Sequence, residues 1–152
     1  MRFSFAQYTT SASYSINYWL IDFFNDLSAY VTEHNREDGI QGICIGVIVV
    51  PAERAPERLF RPRRNQFIKY REFTGLDGQR YVLQDELLWE VQILSEGLLE
   101  LPTPRERAAF IVGALVHSFE GIAPFVRRKK LRIDFRHLEG LMHTFVQESP
   151  GV

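Results

Sequence analysis

Four histidines, a single cysteine and a few spaced carboxylates are the residues of this 152-residue chain whose types could do chemistry. His117 and Glu120 stand three apart, as do Asp134 and His137, and Glu139 and His143 stand four apart. On a helix each pair would share a face and could exchange a proton or hold half of a metal ion. No H-E-x-x-H pattern accompanies them. His137 and His143 would diverge by about 120° around a helix, too far for one ion without a third element. Capping, packing or solvation is therefore the expected role of each histidine. His117, set among Leu115, Val116 and Phe119, is expected to be a buried neutral imidazole. Among nucleophiles, Cys44 lies in an apolar stretch with no adjacent base, and Ser118 follows His117 directly, an arrangement in which helical side chains do not face each other. Gly39, Gly42 and Gly46 lack the G-x-G-x-x-G spacing, and no helix opens behind them to receive a phosphate. No catalytic motif, metal site or cofactor is expected.

The elements that must position any site read as follows. Arg2 to Tyr8 alternates loosely, as a strand near a sheet edge would. Ser15 can cap a helix carrying Ile16, Leu20, Phe23, Phe24, Leu27, Tyr30 and Val31 on one face, broken by Asn35 to Gly39. Ile40 to Val50 is a β-branched run in which Ile43, Ile45, Val47 and Val49 alternate with Gly42, Cys44 and Gly46, marking a central strand with one bulky and one small-residue face. Pro51 to Pro62 reads as loop. Gln66 to Thr74 and Gln79 to Leu83 flank Gly75-Leu76-Asp77-Gly78, a hairpin signal.

Helices are expected over the last seventy residues: one from Asp85 closed by Pro102, one opened by Thr103-Pro104-Arg105-Glu106 and ended by Pro124, and one around Phe135 to Val146. The order β-α-β-β-β-α-α-α predicts a single α+β domain over residues 1–152, with a mostly antiparallel sheet of about four strands packed against helices. One cysteine excludes a disulfide scaffold or a multi-thiolate metal site. The uninterrupted apolar run Ile43 to Val50 is too short to span a bilayer. A soluble, cytoplasmic protein without a membrane partner is the expectation.

Charge is balanced at −1, with 18 Lys+Arg against 19 Asp+Glu, but unevenly placed. Basic residues gather over 54–71, including Arg61, Arg63 and Arg64, and over 127–136, including Arg127, Arg128, Lys129 and Lys130. With Phe67 and Tyr70 nearby, these stretches could meet a phosphate backbone, although the pI of about 6.4 lies below that of a dedicated nucleic-acid binder. Residues 85–100 reverse the sign. Placed on a helix, Asp85, Glu86, Glu90, Glu96 and Glu100 fill an arc of about 140°, and Trp89 and Ile93 fall inside it. A solvated face has no need of a tryptophan, so Trp89 ringed by carboxylates has the makings of a hot spot that docks on a basic protein.

A small α+β chain with no catalytic motif, an acidic and aromatic surface at Asp85, Glu86, Trp89, Glu90, Ile93, Glu96 and Glu100, and three or more arginines for every lysine resembles the immunity proteins of bacterial polymorphic toxin systems, including contact-dependent growth inhibition. The resemblance lies in size and architecture. It implies a non-enzymatic inhibitor whose partner is a cognate toxin domain, often a nuclease, occluded at its active site or substrate surface. A nucleic-acid-binding module using residues 54–71 and 127–136 is the alternative.

Overall fold

The computed structural model describes residues 1–9, 14–35, 40–51 and 60–149, with side chains at 7–9, 14–17, 60–64 and 83 excepted. Its elements are β1 (Arg2–Thr9), α1 (Tyr14–His34), β2 (Gly42–Val50), β3 (Phe60–Thr74), β4 (Arg80–Leu94), α2 (Ser95–Leu99), α3 (Pro104–Arg128) and α4 (Phe135–Glu148). The order is the expected β-α-β-β-β-α-α-α and the class is α+β. α1 opens at Tyr14, so Ser15 lies inside the first turn and not at its cap. Of the loop expected over Pro51 to Pro62, residues 60–62 are the start of β3, paired to β4, and 52–59 lie outside the described residues.

The four described strands form one sheet in the order β1-β2-β4-β3. It is mixed, not mostly antiparallel: β1 with β2 and β2 with β4 are parallel, and only β3 with β4 is antiparallel. Parallel pairing follows from α1 carrying the chain back across the sheet between β1 and β2. β2 is interior, and its alternation works as the sequence predicts. Ile43, Ile45, Val47 and Val49 are buried on one face in line with Leu87, Trp89, Val91 and Ile93 of β4. The helices pack on that face. Phe24 meets Phe5, Phe145 of α4 meets Phe23 of α1, and Phe119 of α3 meets Trp89 edge-on at 6.1 Å.

The expected acidic helix from Asp85 to Pro102 does not form. Residues 86–94 continue strand β4, and only Ser95–Leu99 is helical. Leu87, Trp89, Val91 and Ile93 recur at a period of two, and pairing to strands on both sides outweighs the local helix propensity of Leu, Glu and Gln.

α3 opens as expected: Thr103 accepts from the Glu106 amide at 3.1 Å, with Pro104 in the first turn. It does not stop at Pro124 but runs on to Arg128, because Val126 is buried in the core. Lys130 ends it in the left-handed region at φ 56°, its amide bonded to Arg127 and that of Leu131 to Val126, a Schellman closure. By length and composition α3 is also apolar enough to cross a bilayer, a property the shorter unbroken run at 43–50 does not have. Its apolar side here lies against the sheet and α4, with Ala108, Ile111, Val112, Leu115, Phe119 and Ile122 buried.

Candidate functional site

β2 pairs with β4 only from Glu86 onward, so among the described residues β4 positions 80–84 have β3 as their sole strand partner. The β3–β4 hairpin therefore continues past the sheet as a two-stranded arm, roughly 20 Å long including its turn. The junction is marked at Asp85, which takes φ 49°, and whose carbonyl accepts from the Gln41 amide at 2.9 Å. Aspartate is among the few residues that tolerate this backbone region. At the far end the Gly78 amide reaches the Gly75 carbonyl at 3.0 Å, and Gly78 itself sits at φ 78°, so the predicted hairpin is present.

The arm is held by its own side chains. Phe73 and Tyr81 stack at 5.5 Å, and the Arg71 guanidinium lies 5.3 Å from the centre of the Phe73 ring. Arg80 bridges to Glu72 at 3.1 Å, while the Tyr70 and Tyr81 hydroxyls donate to Glu72 and Asp77. The Tyr81 hydroxyl and the Gln79 amide hold the Asp77 carboxyl below its usual range, and a facing carboxylate raises both tyrosines above theirs. Little of the apolar surface is covered. Tyr70, Phe73, Leu76, Tyr81 and Val82 are 60, 39, 112, 43 and 53% exposed. Phe73 and Tyr81 lie on one face of the ribbon and Tyr70 and Val82 on the other, with Leu76 in the turn, so both faces present the uncovered apolar surface that marks an interaction site.

The two sheet edges differ. At the β1 edge the Phe3 amide donates to Thr32 Oγ1 at 2.9 Å, and the Phe3 carbonyl accepts from Thr32 at 3.1 Å and from the Ser28 hydroxyl. At the β3 edge, among the described residues, the backbone of Gln66–Thr74 bonds only to β4 and the turn. Pro62 lies in this strand, beside the register shift between Arg61 and Gln66, where an edge position tolerates a missing donor.

The acidic set expected on one surface is dispersed. Trp89 and Ile93 are each 1% exposed and face the helices. The indole Nε1 donates to Ser118 Oγ at 2.9 Å, which donates in turn to the Leu115 carbonyl, so Ser118 is a buried link in the core. Glu86, also buried, reaches across Gly42 to Arg2 at 3.2 Å. Glu90 lies over Gly46 on the sheet face away from the helices. Glu96 and Glu100 are exposed at α2, and Asp85 is at the arm's base. No docking face built on Trp89 exists.

That second face carries a depression of about 270 Å³ bounded by Ala6, Cys44, Gly46, Gln66, Leu88 and Glu90. Burial pushes the Cys44 thiol above its usual pKa, with the Ser4 hydroxyl partly opposing, so at neutral pH it is the un-nucleophilic protonated form. His117 is exposed, not embedded, and borders an apolar groove with Ala109, Phe110 and Gly113. Asp134 caps α4 by accepting from the His137 amide, and Glu139 meets His143 at 3.8 Å on the surface. Of the basic sets, Arg127, Arg128, Lys129 and Lys130 are exposed at the end of α3. Arg61, Arg63 and Arg64 belong to β3, leading into the arm, with side chains outside the described set. Sequence reasoning found the hairpin but not its projection, which follows from β3 and β4, at 15 residues each, outrunning the nine-residue β2.

Comparison with known protein families, with characterised proteins and with solved structures found no match to this chain.

Proposed function

We propose that this chain is a non-enzymatic protein-binding inhibitor, an immunity protein that neutralises a cognate bacterial toxin in the cytoplasm, and that the β3–β4 arm is what docks on the toxin. One observation carries the reading: an arm that leaves the sheet and exposes Tyr70, Phe73, Leu76, Tyr81 and Val82 to solvent. Rigid aromatics held in place by Arg71 and Asp77 lose little entropy on docking and suit a hot spot. A projecting ribbon also reaches a cleft that the body could not enter, which would occlude an active site or substrate surface.

The test is binding to the product of the open reading frame immediately upstream. Phe73→Ala with Tyr81→Ala is expected to weaken the complex at least about tenfold, mainly through faster dissociation, without unfolding the body. Unchanged affinity in a folded double variant removes the arm from the interface.

A second reading has an observation of its own. Lys69, Tyr70, Arg71 and Phe73 interleave cations with exposed aromatics, the composition of a platform on which single-stranded bases stack. Titration with mixed-sequence RNA decides it. Binding that weakens steeply with salt supports a nucleic-acid module, and absence of binding at low salt excludes it.

A further inference from the structure

We infer that the outer edge of β3 accepts an acidic, extended segment of the partner protein as an added strand of the sheet. The inference rests on the reading of the arm as the docking element and names the chemistry of what docks.

Three observations lead to it. The edge is open: among the described residues, the backbone of Gln66–Thr74 bonds only to β4 and the turn, leaving alternate amides and carbonyls directed outward. At the opposite edge the Ser28 and Thr32 hydroxyls already occupy the amide and carbonyl of Phe3, so an incoming strand would lose pairing at that residue. The third observation is charge. β3 carries Arg61, Arg63, Arg64, Lys69 and Arg71 against a single acid, Glu72. A second copy of this chain pairing edge to edge would set these cations against one another, and like charges directly opposite are destabilising. An acidic strand would instead place carboxylates beside Lys69 and Arg71, both exposed and on the same face as Phe73, while the apolar positions on its other face met Tyr70. Main-chain bonds would supply affinity and the alternating side chains would supply selectivity.

The probe is an acetylated and amidated octapeptide alternating Glu and Val, added to the full-length, isotope-labelled chain and followed by amide shifts and hydrogen exchange. Two control peptides accompany it: one alternating Lys and Val, and one acidic but N-methylated at two adjacent central residues, which keeps its charge and blocks both bonding edges. Expected are saturable shifts confined to β3 and the arm, and slowed exchange of alternate amides between Ile68 and Thr74. Binding should weaken about tenfold or more in Lys69→Glu with Arg71→Glu, and be lost with the N-methylated peptide. Equal binding of the N-methylated or Lys peptide, shifts centred on β1, or no shift at millimolar peptide would overturn the proposal. So would a dimer of this chain abolished by the same substitutions, or RNA binding at the same amides with no response to the acidic peptide. Retention of the toxin by a chain whose edge ignores the acidic peptide would leave the arm as the docking element and remove strand addition alone.

Discussion

At one end of the sheet, β1 hands the free amide and carbonyl of Phe3 to Ser28 and Thr32 of α1; at the other, β3 leaves its outer backbone groups open and carries exposed aromatics beyond the body. Both strands face the same hazard, since an unpaired edge is a template for another chain. At Phe3 two hydroxyls from a neighbouring helix occupy the backbone groups that an incoming strand would need. An edge that is instead basic, aromatic and extended into an arm is a place where pairing is wanted with a restricted class of partner.

The comparison breaks most strongly at the closed edge. Ser28→Ala with Thr32→Val strips the partners from the backbone of Phe3, a residue with no exposed surface, and should cost about 2–4 kcal/mol in urea unfolding. The same variant should gain concentration-dependent self-association in sedimentation, because a second edge has been opened. A variant within about 0.5 kcal/mol of the parent and still monomeric would mean that the hydroxyls are not what separates the edges.

A smaller effect is expected where the arm leaves the sheet. Asp85→Val forces a β-branched residue into the left-handed region and should cost about 1–2 kcal/mol, whereas Asp85→Gly should be near neutral. Equal losses in both would point to the aspartate side chain and not to the backbone. The smallest effect sharpens the arm's tip. The Asp77 carboxyl is depressed below 3.8, so its contribution to the turn is fully present above that pH and falls away as the pH drops through the depressed value. The Tyr81 phenol is raised above 10, so its contribution is present below pH 10 and is lost as the pH climbs through the raised value. Carbon-detected titration of both groups checks the pair; an Asp77 that titrates at or above 3.8 removes the Tyr81 contact from the solution structure.

Much of the fold was legible because its signals are local. Thr103, Pro104 and Glu106 cap α3 within a single turn, Gly75 to Gly78 close a hairpin by their own backbone preferences, and the period of two in Ile43 to Val49 marks a strand whatever surrounds it. The misread segment carried two patterns at once. Leu87, Trp89, Val91 and Ile93 alternate as a strand should, while Glu86, Glu90 and the leucines also suit a helix, and the count of carboxylates favoured the helix.

The sequence by itself determined the element order, the α+β class and the two-faced character of β2. Only the tertiary structure decided that residues 86–94 are a strand, that Trp89 lies in the core, and that the hairpin outruns its neighbours. The reason is that the hydrogen-bond partners of β4 include β2, about forty residues upstream, where Gly42 and Gly46 leave space for Glu86 and Glu90 to lie across the sheet. A helix satisfies its backbone from within four residues; a strand takes its partners from wherever the chain returns, and no short window of sequence contains that information.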